Sequence, residues 1–476
     1  MPNLVSTGAE TASSALAAEP AHALAVDQAD LVRLALACVQ SGDYPRAHAY
    51  ALLLTQHAPD AVDSWKLLGV AQQHLGDLQG GLVSLEKSVA LAPADANALC
   101  LYADGLLRLD RYTDAFQVYL KALQIEPDNI SAGRHVADLL VMAHRPADAW
   151  NVLQQSIVHA PQLADLRIDA VKIALRMGAL SDARLHASHA LVLAPEQAPT
   201  RHVVGLVQLR MGDLPTALAS FREELRLLLP SEGLPKVGEW SSPVPFDYRA
   251  NEVTMWTAAA QMAQAGVHVF PTAGTLLGLL RDGHLLPFDK DVDMGLPYGE
   301  MDAARECLLA NGWVDFEPHS GLLNPRSFRH EASGLLMDLC GYRTEAGSDS
   351  SVGGLWMEGV PDAWNRIVDF PPLSLRRITR PEGRVWTLAE PESWMQALYG
   401  DWRTPDPHFD SVIASVNQRG FALLTQCYAL LRLANQLRDG KLRNARASTR
   451  VWLRHFPDDA QIQQIASRVE SALADS

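Results

Sequence analysis

The sequence predicts a multidomain chain: an all-α superhelix of repeats, then an α/β domain, then C-terminal helical hairpins. Three observations predict it. Prolines recur at Pro59, Pro93, Pro127, Pro161 and Pro195, a period of 34 residues. That phase stops in a stretch between 230 and 246 that is rich in Pro, Gly and Ser. Beyond it, short apolar runs alternate with helical patterns, and Asp289-Lys290-Asp291-Val292-Asp293 carries aspartate at every second position.

Each repeat proline follows a small residue by twelve positions: Ala47, Gly81, Ala115, Ala149 and Ala183, with Ala217 continuing the series and Pro230 one place late. Five residues earlier stand Gly42, Gly76, Gly178 and Gly212, replaced by Asp110 and His144 in two units. Small residues let two helices approach closely, glycine turns the chain between them, and proline ends each unit. This pattern resembles the tetratricopeptide repeat, also in Trp65, Leu68 and Gly69 of the second unit. The resemblance implies stacked helix pairs whose concave face holds a protein or peptide. Six units fit residues 28–230, after a disordered tail at 1–27 and before a linker at 231–246. Gly440, Ala445 and Pro457 stand in the same phase relation, so the helical segment 411–476 reads as one more unit with a capping helix near 459–474, or as an ordinary hairpin.

Composition excludes some functions. A net charge of −15 argues against nucleic acid, which needs a basic face. Cys38, Cys100, Cys307, Cys340 and Cys427 are scattered and odd in number, which favours a reducing compartment and no cysteine zinc site. No apolar run is long enough for a transmembrane helix and residues 7–25 mix Ala, Ser, Glu and Thr, so neither a transmembrane segment nor a signal peptide is expected. The expected location is cytoplasmic, including a peripheral place at the inner face of the membrane.

In the domain expected over 247–410, helices are predicted at 247–265, from Gly274-Thr275 onward and at 299–311. Strands are predicted at 267–270, 291–296, 313–316, 326–330 and 335–342, with a turn at 281–284. On a strand, Asp291 and Asp293 share a face, with Asp289 nearby. Clustered carboxylates repel unless a cation neutralises them, and hard cations such as Mg²⁺ or Mn²⁺ prefer oxygen ligands and carry phosphates with them. Asp338 on a later strand adds a fourth carboxylate. Backbone N–H groups at the Gly274-Thr275 helix start suit phosphate oxygens.

That order of elements resembles the nucleotidyltransferase fold. Gly274-Thr275-Leu276-Leu277-Gly278, Arg281-Asp282-Gly283-His284-Leu285-Leu286-Pro287-Phe288-Asp289-Lys290-Asp291-Val292-Asp293 and Tyr399-Gly400-Asp401-Trp402-Arg403-Thr404-Pro405 further resemble the LicD/fukutin family. Lys290 departs from its pattern, where another Asp often stands. The resemblance implies a phosphotransferase that moves phosphocholine, ribitol-phosphate or glycerol-phosphate from a CDP-linked donor to a glycan or glycoconjugate hydroxyl. It implies Asp291, Asp293 and Asp338 as metal ligands and Asp289 as ligand or base. Arg281 and His284 would contact donor phosphates beside Gly274 and Thr275, and Tyr399, Asp401 and Trp402 would close the pocket, Trp402 having a core role as its alternative.

The same fold could transfer a nucleotide, or the chain could be an adaptor with a vestigial catalytic domain. Asp289, Asp291, Asp293 and Glu300 match an EF-hand spacing, but Met294 stands where glycine is needed and Pro287 prevents an entering helix. Gly334 breaks a zinc-protease reading of His330-Glu331. Arg376, Arg377, Arg380 and Arg384 form a basic cluster, read as a solvated face or as an anion contact.

Overall fold

A computed structural model of the chain describes residues 28–229, 247–287, 289–316, 319–345 and 347–474, so the expected tail and linker lie outside the described residues. The chain divides into two units between Asp169 and Ala170.

The first unit holds helices α1 (Gln28–Ser41), α2 (Tyr44–His57), α3 (Val62–His74), α4 (Leu78–Leu91), α5 (Ala96–Leu107), α6 (Tyr112–Ile125), α7 (Ile130–Met142), α8 (Pro146–His159) and the start of α9 (Ala164–Arg176). Successive helices pair as hairpins. The turn inside each hairpin requires a left-handed residue. Glycine supplies it at Gly42 and Gly76, with φ of +77° and +92°, and Asp110 and His144 take the same conformation at +56° and +57°. Asp and Asn tolerate that region best among side chains, which accounts for Asp110 better than for His144. The predicted small positions are fully buried at Ala47, Ala115 and Ala149. At Gly81 a Cβ would lie 2.8 Å from the Gly69 carbonyl, so α3 and α4 touch backbone to backbone.

The second unit continues with the rest of α9, then α10 (Leu180–Leu193), α11 (Ala198–Arg210) and α12 (Leu214–Leu227). After the mixed α/β domain come α18 (Leu423–Arg438), α19 (Leu442–His455) and α20 (Ala460–Ala474). These late helices pack directly on α12. Phe221 and Leu225 share one core with Leu430, Leu433, Trp452, Ile462 and Ile465. The α18–α19 hairpin shares recurrent side-chain bonds with the earlier hairpins. Ser84 donates to Gln72 Oε1, Ser220 to Gln208 and Ser448 to Gln436, at 2.6–2.8 Å. The residue six places after the repeat proline donates to that proline's carbonyl from Trp65, Arg201 and Gln463. The α/β domain is therefore inserted in sequence between two stacked hairpins.

That domain contains α13 (Tyr248–Gln264), β1 (Phe270–Pro271), α14 (Ala273–Arg281), β2 (Asp291–Pro297), α15 (Met301–Ala310), β3 (Trp313–Phe316), β4 (Leu322–Asn324), β5 (Arg326–His330), β6 (Leu336–Thr344), β7 (Ser351–Met357), β8 (Arg366–Phe370), β9 (Leu375–Arg380), β10 (Gly383–Leu388), α16 (Pro391–Tyr399) and α17 (Ser411–Ala414). The sheet runs β1-β2-β6-β5-β3, with β7 joining β6 to β4 and β8, and β9–β10 forms a separate hairpin. Among the described residues only β2 and β6 pair in parallel; the other pairings are antiparallel. One face buries Val292, Met294, Met337, Leu339 and Phe328 against Met255, Trp256 and Leu308 of α13 and α15. Alternation then sends Asp291, Asp293 and Asp338 to the opposite face.

Several expectations change. The strand expected over 267–270 shrinks to Phe270–Pro271, because the His268 N–H donates to the Glu300 carboxylate at 2.7 Å instead of joining a ladder. The helix expected over 299–311 begins as a 3-10 turn at Tyr298–Glu300 and is regular only from Met301 to Ala310. Segment 411–419, assigned above to the C-terminal helices, is bound to β8. The buried Arg366 donates to the carbonyls of Ser411 and Val412 and to Ser415 Oγ, and Arg419 grips Asp369.

Candidate active site

The site forms where β1 hands over to α14, beside the start of β2. Thr272 N–H donates to the Asp293 carbonyl at 3.1 Å. Asp293 N–H donates in turn to Thr275 Oγ1 at 2.7 Å, and Gly274 N–H donates to Asp293 Oδ2 at 3.1 Å. Gly274 and Thr275 thus hold Asp293 in place. As described, the helix's first free N–H is directed at a carboxylate and not at an incoming phosphate.

Strand register assembles the rest. Asp293 stands directly opposite Asp338 on the neighbouring parallel strand, and Asp291 opposite Leu336. Asp289 folds back toward the helix start. A Cβ on Gly274 would lie 2.8 Å from Asp289 Oδ2 and 3.4 Å from Asp293 Oδ2, so glycine is needed for the carboxylates to approach the backbone. Gly278 has a separate task. A Cβ there would lie 2.7 Å from the His284 carbonyl, where the return loop crosses the helix. These two contacts give a reason for both glycines of Gly274-Thr275-Leu276-Leu277-Gly278.

The electrostatics follow from crowding. Burial, and then the charge of Asp291, push the Asp289 carboxyl up to about 7. Burial raises the Asp291 carboxyl as well. Asp293 lies well above the usual carboxylate range, first through burial and then through Asp291, Asp338 and Asp289. Such a set is unstable as four separate anions and fits a hard divalent cation, since its donors are oxygen only. Among the described residues no group of three or more His, Cys, Asp or Glu side chains is placed to hold a metal ion.

The other predicted residues distribute unevenly. Tyr399 lies close enough that Asp293 and Asp289, after burial, raise its phenol, while Arg281 lowers it. Trp402 is buried in the core with Phe370, Tyr342 and Trp394, the alternative role given to it above. Asp401 is exposed and accepts from Thr404 Oγ1 at 2.7 Å. Arg281 is bound by Asp282 through two bonds of 3.0 and 3.2 Å. His284 Nδ1 engages the Leu285 carbonyl at 2.8 Å, and its ring lies 4.8 Å from that of Tyr248. Neither Arg281 nor His284 is free as placed for a phosphate. Glu300 binds His268, away from the aspartates, which removes the EF-hand arrangement. In the basic cluster, Arg377 stacks on Trp386 and Arg380 on Trp256. Burial and the neighbouring aspartates raise the Cys340 thiol, which is half-buried.

Replacing Gly274 with Ala is expected to lower activity about 10²-fold, because a misplacement near 1 Å costs that much at a reacting centre. Alanine favours helix over glycine by roughly 1 kcal/mol, so the melting temperature should hold or rise. A drop in melting temperature with unchanged turnover per folded molecule would contradict this account of Gly274.

Residues 266–330 match the family described as LicD/FKTN/FKRP, nucleotidyltransferase domain. Over 201 residues the chain is 23% identical to Protein FlbA of Caulobacter vibrioides, a match covering 42% of this chain and 34% of that protein. The chain thus spans about a third of that relative's length. Among solved structures, Pseudomonas aeruginosa pilF is 18% identical over 42% of this chain and 91% of its own, with a TM-score of 0.39. A thermophilic TPR protein of Thermus thermophilus is 18% identical over 37% of this chain and 95% of its own, with a TM-score of 0.33. With its 34-residue hairpins and the family match over the acidic strand, the chain carries a LicD-type nucleotidyltransferase domain fused to tetratricopeptide repeats.

Proposed function

We propose that the domain is a divalent-metal-dependent phosphotransferase that moves a substituted phosphate from a CDP-linked donor to a hydroxyl of a glycan or glycoconjugate. The observation that carries this reading is the opposition of Asp293 and Asp338 across the parallel β2–β6 pair, with Asp289 and Asp291 beside them. In this reading Asp291, Asp293 and Asp338 hold Mg²⁺ or Mn²⁺, which when bound offsets charge on the diphosphate and on the attacking and leaving oxygens. Asp289, pushed up to about 7, suits a general base near neutral pH and takes the proton of the acceptor hydroxyl. The acceptor oxygen bonds to the transferred phosphorus as the phosphorus–oxygen bond to the nucleotide breaks, and CMP leaves. Gly274 and Thr275 fix Asp293, and Tyr399 walls the pocket and limits water.

The repeats would hold a protein or peptide partner on their concave face, bringing the acceptor to the domain. Among the described residues no helix is long and apolar enough to cross a membrane. The proposed location is the cytoplasm or the inner face of the membrane.

The test is incubation with CDP-choline, CDP-ribitol, CDP-glycerol and CTP in Mg²⁺, followed by product masses. Release of CMP with a phospho-alcohol on the acceptor is expected. A nucleotide-bearing product would favour nucleotidyl transfer on the same fold. Failure to bind Mg²⁺ or Mn²⁺ with any of these compounds would favour the adaptor reading.

A further inference from the structure

The register that assembles the aspartates also places a cation on their face. Asp291 pairs with Leu336 on β6, and Leu336 pairs with Arg329 on β5. Asp293 pairs with Asp338, which pairs with Ser327. Directly opposed residues share a face, so Asp291, Asp293, Asp338, Ser327 and Arg329 all project from one side of the sheet. Neighbouring strands lie about 4.8 Å apart, so Arg329 stands about 10 Å across the sheet from Asp291, with Leu336 between them. Arg329 is half-buried. Among the described residues no ion pair engages it, unlike Arg326 on the opposite face of the same strand, which is bound by Asp302 at 3.1 Å.

Charge gives this placement a use. The site gathers four carboxylates, and a substrate diphosphate would add further negative charge. The two side chains expected to meet it, Arg281 and His284, are occupied by Asp282 and by the Leu285 carbonyl. A guanidinium offers two parallel donors that match phosphate oxygens and stays charged at every working pH. Its long stem allows it to lean over Leu336 toward the acidic row. Ser327 stands directly opposite Asp338, two residues from Arg329 on the same face, and its hydroxyl can donate to the same anion.

We infer that Arg329, with Ser327 beside it, forms a phosphate-recognition arm of the site, gripping the diphosphate of the donor from the β5 side. The inference rests on the phosphotransferase reading and adds to it a residue outside the acidic row. Arg329 acts on binding and takes no proton.

The test uses the full chain with inorganic pyrophosphate as probe, titrated calorimetrically in Mg²⁺, and Mn²⁺ binding measured separately by paramagnetic resonance without anion. Arg329→Gln should weaken pyrophosphate about 10- to 100-fold, the range for a lost charge-assisted hydrogen bond. Mn²⁺ affinity and melting temperature should not change. Arg329→Lys should recover part of the loss, and Arg326→Gln, which removes the same charge from the other face, should weaken pyrophosphate less than threefold. Wild-type affinity for pyrophosphate in Arg329→Gln, or an equal loss in Arg326→Gln, would overturn the inference and leave the metal reading standing. A wild-type protein that binds neither Mn²⁺ nor magnesium pyrophosphate would overturn both.

Discussion

Asp293→Asn is expected to lower transfer by about 10³-fold or more, while the metal-free variant melts at the same temperature as the parent or higher. The first part follows from losing a metal ligand. Electrostatic stabilisation of the transferring group contributes several kcal/mol, and each 1.4 kcal/mol is about tenfold in rate. The second part follows from the observed environment. Asp293 is raised first by burial and then by three neighbouring aspartates, so its ionised form opposes folding when no cation is present. Asparagine keeps the shape and can still accept from Gly274 N–H, and it carries no charge. The sign for pH is the same. Asp289 has a folded pKa pushed up to about 7, above its unfolded value, so its contribution to stability is full in acid and is lost as pH rises through about 7. The metal-free parent should therefore melt lower at pH 8 than at pH 5.5. Added Mg²⁺ should restore more stability at the higher pH, because cation and protons compete for the same oxygens. Thermal melts of parent and variant at both pH values, with and without Mg²⁺, check all three expectations. An Asp293→Asn protein stabilised by Mg²⁺ as strongly as the parent would remove Asp293 from the ligand set.

Much of this site is legible in the sequence, because alternation is a one-dimensional signal. Val292 and Met294 interleave the aspartates, and Met337 and Leu339 flank Asp338, so each strand declares which residues leave the core. The helical phase is equally local: a small residue, a turn residue and a proline at fixed offsets. What sequence could not give is pairing across space. Arg281 and His284 have suitable chemistry for phosphate, but their engagement by Asp282 and by the Leu285 carbonyl and Tyr248 depends on the loop's path over Gly278. Arg329 is hidden in the sequence for the converse reason. Arg326-Ser327-Phe328-Arg329 reads as an ordinary strand, and only its registration against β6 puts Arg329 on the acidic face. The strands β7 to β10 escaped because Gly353, Gly354 and a run of arginines weaken their apolar pattern. Segment 411–419 escaped because its anchor is a buried arginine, Arg366, and burial of an arginine is not a local signal.

Glu224→Ala is expected to cost about 3 kcal/mol of stability and to loosen α18–α20. The Glu224 carboxylate on α12 is completely buried. His202 Nδ1 on α11 lies 3.1 Å from each of its oxygens, and Arg438 on α18 donates to it. Removing one partner of a buried charged pair costs roughly 3–5 kcal/mol, because the remaining charge is left desolvated. The Arg438 side chain is 39% exposed, so water relieves part of that penalty and the lower end applies. The consequence reaches beyond one bond. The chain leaves the repeats after α12, builds the entire α/β domain, and returns at α18 to the same helix. Glu224 clamps the return point, with Arg222 holding Asp459 nearby at 2.7 Å. A loosened clamp should expose residues 423–474 to protease before the sheet domain opens, and Glu224→Gln, which keeps a neutral acceptor, should fall between parent and alanine variant. Urea denaturation gives the energy, and limited proteolysis followed by mass mapping gives the order of opening. A loss below about 1 kcal/mol, with no early cleavage in 423–474, would mean that the shared apolar core of Phe221, Leu430 and Trp452 holds the return by itself.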